Sequence, residues 1–493
     1  MSRVAIIGAG LGGLSAAAHV VSQGHDVTIF ESLSRAGGRA AREIRTGPLG
    51  TYSMEFGPTV FTMLDVAKEP FDALGVNMET LCPMIKLDPA YRAKFSDGTE
   101  LNWPADPSDL SQTISDFAGG DASLAFEKYQ TWLGKLYVIE YPTFISRNYS
   151  RYTDLLSSSS QLIKLMMMGG FRSMESKVSR FISDERLRTF ASFQSLYAGV
   201  TPSQARAIYC IISYMDLIQG VYFPRGGMSA YPEALAEALG EAGVKIHFNS
   251  EVNKVLKIAE GFDVFTNGGS ERFDAVVCNA DLPESFSSLF DLEMPKRVQR
   301  ARYSPSCLLY IVAGKANIAG SRAHHTITFS ADSKQNFTAL VRDRTLMNDP
   351  SYLISNPTFS DPSMVPQGRE MFYVLEPCPH LDSNVDFVSR RDELQERMKH
   401  HLVEQGISLD VIDEEMFFDP TDWEQQGMYR GTPFSLAHTF FQSGPFRPRN
   451  YLKKLPGVFF CGTGTTPGVG IPMVLESGKL AADRVAEYCG SDR

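Results

Sequence analysis

The chain has 493 residues, a formal net charge of −10 and a pI of about 5.5, so it lacks the basic footprint needed to neutralise phosphates, and nucleic-acid binding is excluded. Hydrophobic residues make up 43% and charged residues 21%, an ordinary globular balance in a chain long enough for more than one domain. The seven cysteines form no C-x-x-C pair and the nine histidines no H-x-x-x-H pair, so the sequence predicts neither a disulfide scaffold nor a metal site, and a reducing compartment.

Arg3 is followed by the short apolar run Val4 to Ile7, which stops at glycines and predicts a buried strand rather than a signal peptide. Apolar residues at 14, 17, 18 and 21 follow helical spacing, and Gly24 ends the run. Val27 to Glu31 reads as a second strand, which completes a parallel, right-handed βαβ unit. From Pro104 to about Ile218 the pattern is mostly helical, as in Asp184 to Phe190 and Ser203 to Ile218. No stretch there reaches the roughly 18 apolar residues that cross a bilayer: Leu162 to Phe171 is interrupted by Lys164, and Ala207 to Met215 is too short.

After Gly226-Gly227 the pattern predicts a helix over Tyr231 to Leu239 ended by Gly240, and a strand over Val244 to Phe248. An antiparallel pair follows (Val252 to Ile258 with Phe262 to Thr266), then a buried strand over Phe273 to Asn279. Arg297 to Phe441 is mixed, with strands at Cys307 to Val312 and Met371 to Leu375. Val458 to Phe460 leads into a glycine-rich loop and a helix over Leu475 to Tyr488.

Gly8-Ala9-Gly10-Leu11-Gly12-Gly13 fits G-x-G-x-x-G between strand and helix. Gly8 permits the tight turn, Gly10 lets the backbone approach a pyrophosphate, and Gly13 lets the helix pack on the strand. The N-terminus of the helix read from Leu14 to Gln23 offers free N–H groups to phosphate. Glu31 ends the second strand, where a carboxylate holds a ribose 2′-hydroxyl and repels the 2′-phosphate of NADP. Gly37-Gly38-Arg39 adds a second backbone approach and a cation, which favours FAD.

Here the sequence resembles the flavin-dependent amine oxidase and desaturase superfamily. That superfamily commonly carries Asp near the end of the next strand. This chain has Glu55 in Met54-Glu55-Phe56-Gly57-Pro58-Thr59, one methylene longer, which weakens a role for that carboxylate. Glu55 to Val60, Leu87 to Arg92, Phe193 to Gly199 and Phe223 to Met228 are similar to carotenoid desaturase segments. Gly462-Thr463-Gly464-Thr465-Thr466-Pro467-Gly468-Val469-Gly470-Ile471-Pro472-Met473 resembles the C-terminal signature of bacterial phytoene desaturases, the actinobacterial kind in particular. The resemblance runs from Val4 to about Val485.

The resemblance implies an α/β fold. A discontinuous Rossmann-like FAD-binding domain is expected from 1–75, 220–290 and 445–493, an inserted mixed-sheet substrate domain from 76–105 and 291–444, and a helical, membrane-facing domain from 106–219. It implies FAD contacts from Gly8, Gly10, Leu11, Gly13, Glu31, Gly38, Arg39, Thr59, Val252, Gly462, Gly470 and Ile471. The last two are expected just before the C-terminal helix, whose N–H groups stabilise negative charge on a flavin's pyrimidine edge. Glu476 suits that helix dipole and is assigned no catalysis.

The implied activity is desaturation of a carotenoid precursor, phytoene to lycopene-type products, on a long apolar polyene. Hydride transfer to the flavin is followed by proton loss, chemistry that needs an apolar tunnel and positioning more than a tuned acid–base pair. Asp154 is the candidate polar group in the channel, against a plain helix N-cap before Leu155. Leu162 to Met168 reads either as core or as a channel mouth dipping into a membrane surface. Phe144, Phe171, Phe181, Phe190 and Phe193 are candidate tunnel residues, against ordinary core. The expected location is cytoplasmic and peripheral to the membrane, with a quinone or oxygen as electron acceptor. Alternatives are a desaturase or isomerase of another carotenoid, a flavin amine oxidase, and a non-enzymatic prenyl-lipid escort protein.

Overall fold

The structure, a computed structural model, describes residues 1–490; the last three residues of the expected 445–493 segment lie outside them. Its first layer is a five-stranded parallel sheet in the order Val458–Phe460, Ala275–Cys278, Arg3–Ile7, Asp26–Phe30, Lys245–His247. The inner strands, distant in the chain, meet here because they are largely apolar runs, and only a sheet covered on both faces buries such runs, while the edge strand Lys245–His247 is polar and partly exposed. Val4, Ala5, Ile6, Val276 and Val277 are fully buried.

The helix Leu11–Ser22 covers one face and is crossed by the C-terminal helix Ile471–Gly490. Their approach is close because a Cβ on Gly478 would lie 2.5 Å from the Gly12 carbonyl oxygen and 2.7 Å from the Ala16 nitrogen. The C-terminal helix thus begins at Ile471, four residues before the expected Leu475, with Gly470 in the left-handed region ahead of it (φ 106°). An antiparallel meander, Val252–Lys257, Phe262–Thr266 and Gly269–Phe273, covers the opposite face. It has one strand more than the sequence pattern predicts, and that strand takes Phe273 away from the next.

The second layer is a seven-stranded sheet in the order Ile407–Phe418, Ser306–Ile318, Glu370–Cys378, Tyr352–Ser355, His325–Thr328, Tyr91–Lys94, Glu100–Trp103. It is antiparallel except where His325–Thr328 runs parallel to Tyr91–Lys94, so residues 91–103 join the same sheet as 306–418. Ser306–Ile318 has 13 residues, against the expected Cys307 to Val312, because it continues through the small Ala313 and Gly314 into a last stretch whose Lys315 and Asn317 are exposed, a pattern that hides a strand end.

A helical layer closes the far side, with helices at Leu110–Ala118, Gly120–Glu140, Ser159–Met167, Met174–Val178, Glu185–Phe190 and Cys210–Leu217. The expected helix over Ser203 to Ile218 is shorter: a turn over Ala207–Tyr209 precedes Cys210–Leu217. The helix Ala230–Glu241 runs through Gly240 and stops before Gly243 (φ 88°). A Cβ at Gly240 would meet nothing within 4 Å, so that glycine lies in solvent on the helix and does not end it.

Candidate active site

A single cavity of about 1560 Å³ extends from the Gly8–Leu11 loop, between the two sheets, into the helical layer. Small-molecule clefts are commonly about 300–1,000 Å³, so this one has room for two ligands end to end.

At one end the strand Arg3–Ile7 turns sharply into the helix Leu11–Ser22 at Gly8 (φ 95°). Gly8, Gly10 and Leu11 line the cavity. A Cβ on Gly10 would lie 2.7 Å from Asn279 Nδ2, so a side chain there would close the loop against its neighbour. Gly13 does not line the cavity: a Cβ there would lie 2.0 Å from the Gly8 carbonyl oxygen, and its role is to let the helix sit on the strand. The Glu31 carboxylate accepts the Ala9 N–H at 2.7 Å and the Leu33 N–H at 2.8 Å, with lone pairs to spare for a ribose hydroxyl. Val252 lines this end, where the strand register shifts between Val252 and Lys254.

Gly38, Arg39 and Thr59 line the next stretch. Arg39 donates to Asp281 Oδ2 and Thr463 Oγ1, each at 2.7 Å, and to the Pro433 carbonyl at 2.9 Å. It ties three separate segments together around the cavity rather than standing free as a cation. Gly462, Gly470 and Ile471 complete the wall, and the first turn of the C-terminal helix faces inward through Pro472, Met473 and Val474. Of that turn, the Ile471 and Met473 N–H groups precede the first intrahelical hydrogen bonds, while Val474 N–H closes on the Gly470 carbonyl; two free donors at a helix N-terminus suit an edge that gains negative charge.

This loop is held by residues that sequence reasoning did not single out. Arg447 is fully buried and donates to the Thr463, Thr465 and Leu436 carbonyls. His438, buried and held neutral by desolvation and by Arg447, accepts the Val469 N–H at 3.4 Å and packs on Gly468, where a Cβ would lie 2.1 Å from its ring. Asn279 fills the space between Gly10, Gly12 and Gly462. Each is one polar residue without a motif around it, so no local signal marks it.

Glu55 is buried and lies behind the wall. Its Oε1 accepts the Ser229 N–H at 2.8 Å, and burial pushes its carboxyl up to about 7. A Cβ on Gly227 would lie 2.4 Å from that oxygen, so the carboxyl joins the Met54–Pro58 segment to the Gly226-Gly227 turn. Tyr373 donates to the Gly57 carbonyl at 2.8 Å and pins the same segment from the second sheet.

Beyond Thr59 the cavity becomes apolar. Phe144, Leu162, Leu165, Phe171, Phe193 and Phe440 line it. The expected tunnel residues Phe181 and Phe190 do not: Phe190 packs on Trp103 and Tyr91, and Phe181 on Tyr129 and Trp132, as core. The helix Ser159–Met167 divides its faces. Leu162 and Leu165 look into the cavity, while Ile163, Met166 and Met167 are 53%, 62% and 83% exposed.

Asp154, expected in the channel, turns its carboxylate onto its own backbone segment. It does not line the cavity, and its Oδ2 accepts the Ser150 and Arg151 N–H groups at 2.8 and 2.9 Å, which hold the carboxylate below its ordinary range. It is the third residue of the helical turn Tyr152–Ser158 and reaches back to the N-cap N–H of Arg151, rather than capping a helix that starts at Leu155. Glu476, in the second turn of the C-terminal helix, is buried and accepts from Ser146 at 2.6 Å and Tyr141 at 2.9 Å, fastening the helical layer to that helix. Two other carboxyls, Glu140 and Asp216, line the apolar arm.

The family profile described as "Flavin containing amine oxidoreductase" matches residues 11–486. The chain is 40% identical over 495 residues to a phytoene dehydrogenase of Streptomyces griseus, covering 98% of this chain and 95% of that protein. It is 32% identical over 508 residues to a zeta-carotene-forming phytoene desaturase of Myxococcus xanthus, covering 99% and 94%. It is 29% identical over 500 residues to a 4,4'-diapophytoene desaturase of Staphylococcus aureus, covering 98% of each. Among solved structures it is similar to an oxidoreductase from Methanosarcina mazei (TM-score 0.61, 16% identity, 98% of this chain and 100% of that one). It is also similar to a cyclohexylamine oxidase from Brevibacterium oxydans (TM-score 0.59, 15% identity, 100% of both).

Proposed function

The chain belongs to the flavin-containing amine oxidoreductase family, and from that membership we propose that it is an FAD-dependent desaturase of a carotenoid precursor, converting phytoene to lycopene-type products. The observation that carries this reading is the continuity of one cavity from a dinucleotide cradle into an arm walled by Phe144, Leu162, Phe171, Phe193 and Phe440. A hydrocarbon offers no charge or hydrogen bond to recognise, so its site has to work by shape and by exclusion of water. The named activities of the relatives from Streptomyces griseus and Myxococcus xanthus support the same substrate class.

Bound FAD supplies the hydride acceptor. Gly8, Gly10, Leu11 and Glu31 would hold its adenosine and pyrophosphate, with Gly38, Arg39, Thr59 and Val252 beside them and Gly13 setting the helix against the strand. Gly462, Gly470 and Ile471 would meet the pyrimidine edge. The aromatic and aliphatic walls position the polyene and keep water from the cation left by hydride loss.

The exposed side of Ser159–Met167 is proposed as the surface that rests on a membrane, where such a substrate is dissolved. Among the described residues no helix is long and apolar enough to cross one. The proposed setting is the cytoplasmic face, with a membrane quinone or oxygen reoxidising the flavin.

The test is expression in a bacterial host that accumulates phytoene, with chromatography of the pigments. A red, lycopene-type product is expected, and its spectrum counts the double bonds introduced. Unchanged phytoene beside soluble, FAD-loaded protein would turn the search to other polyenes.

A further inference from the structure

We propose, resting on the desaturase reading, that the Asp216 carboxylate is the group that takes the proton when the double bond forms. The cavity-lining residues drawn from 106–219 are aliphatic and aromatic with few exceptions, and two of them are acidic: Glu140 and Asp216.

The helix Cys210–Leu217 presents Ile211, Ile212, Met215 and Asp216 to the cavity, an apolar wall with one carboxyl in it. Asp216 is 2% exposed. Tyr91 donates to its Oδ1 at 2.6 Å, and the Gln194 amide donates to its Oδ2 at 3.3 Å. Each oxygen keeps a lone pair for a further partner. Gln194 is itself anchored by the Ser213 hydroxyl at 3.3 Å. The Tyr91 ring stacks on His325, with centroids 5.6 Å apart, and the Thr59 backbone faces His325. Asp216 is thereby fixed, through two rings, to the corner where the dinucleotide cradle gives way to the apolar arm.

The two acids differ in what surrounds them. The Glu140 carboxyl makes no hydrogen bond among the described residues, its Oε2 is buried without a partner, and desolvation alone pushes it well above its ordinary range, which favours the neutral acid. Asp216 has two donors that favour the anion, and burial, the largest influence, leaves it at about 6. The titratable groups facing it are Tyr91 on its strand, buried, and Tyr197 beside Gln194, partly buried, and desolvation raises both well above the ordinary tyrosine range. Of the two acids, Asp216 is therefore the one whose hydrogen bonds favour the anion.

The step balances on these groups. One substrate carbon loses hydride to the oxidised flavin, leaving an allylic cation. The C–H bond on the neighbouring carbon then breaks, its electron pair becomes the new π bond, and the proton forms a carboxylic acid with Asp216.

The experiment compares FAD-loaded wild type, Asp216→Asn and Asp216→Glu in anaerobic single turnovers with phytoene in liposomes, from pH 5 to 8. D216N is expected to slow flavin bleaching by about 10²–10⁴-fold with its FAD content retained. D216E is expected to recover most of the rate. The wild-type rate should fall on the acid side with a midpoint near 6, a limb missing from D216N. Infrared difference spectra provide a readout independent of turnover: a protonated-carboxyl band that grows in near that pH should be lost in D216N, and a band persisting at neutral pH should be lost in Glu140→Gln. Equal rates and pH profiles in wild type and D216N would overturn the assignment alone. Wild type that leaves the flavin oxidised would overturn the substrate reading and the assignment with it.

Discussion

The Glu31 carboxylate reaches back across the first loop to the Ala9 N–H at 2.7 Å, while its other oxygen takes the Leu33 N–H at 2.8 Å. One side chain at the end of a strand thus sets both the glycine loop before the helix and the turn after itself. A charge-assisted hydrogen bond of this kind contributes about 1.5–3 kcal/mol. Replacing Glu31 with Ala should therefore weaken FAD binding by roughly 10- to 100-fold, read from fluorescence titration of the apoprotein. An unchanged Kd would remove Glu31 from the cofactor site.

Two glycines in helices should respond in opposite directions. Gly478→Ala forces a methyl group between the crossing helices, against the Gly12 carbonyl and the Ala16 nitrogen, and overpacking of this kind costs about 1–3 kcal/mol. Gly240→Ala adds a methyl in open space inside a helix and should stabilise by about 0.5–1 kcal/mol. Thermal melting of the two variants checks both signs.

Glu140 gives stability a pH dependence. Its folded carboxyl titrates well above the ordinary glutamate range because burial disfavours the anion. Above that ordinary range the unfolded chain has released a proton that the folded one still holds, so the folded state loses stability as pH rises towards the raised value. Glu140→Met removes both that dependence and an unpaired buried polar group. Its melting temperature should exceed wild type, with the gain larger at pH 8 than at pH 5 and reaching about 1–3 kcal/mol. A gain equal at both pH values would mean the carboxyl is not held neutral by burial.

The outward face of Ser159–Met167 should govern membrane association. Each large apolar side chain withdrawn from water contributes about 1.5–3 kcal/mol. The double variant Met166→Ser with Met167→Ser, which leaves the cavity-facing Leu162 and Leu165 in place, should lower binding to phosphatidylcholine vesicles by at least about tenfold in co-sedimentation. Folding and FAD content should not change. Undiminished binding would move the docking surface elsewhere.

The cofactor half was legible because its signals are local. Gly8 to Gly13, Glu31 and Gly37 to Arg39 fall within 32 residues, and their fixed spacing between strand and helix is itself the signal, although Gly10 and Gly12 are held close by the distant Asn279. Apolar runs marked the buried parallel strands for the same reason. Element ends were less legible. Gly240 has the composition of a helix stop, yet the helix continues through it, and the C-terminal helix starts at Ile471 because Gly470 supplies the turn and Val474 N–H closes on its carbonyl at 2.9 Å.

The sequence by itself determined the dinucleotide cradle, the α/β class and the family, because a βαβ unit and its glycines are specified over a few consecutive residues. Only the tertiary structure decided which polar groups reach the apolar arm. Asp154 looked like a channel residue but spends its carboxylate on neighbouring backbone N–H groups. Asp216 looked like part of an ordinary apolar helix, yet it meets Tyr91 from 125 positions away. Arg447 and His438 hold the flavin-side loop in the same way, through contacts made across the fold. Hydrophobic periodicity reports which face of an element is buried. It carries no record of what lies opposite that face, and the chemistry of the cavity is set by those opposing residues.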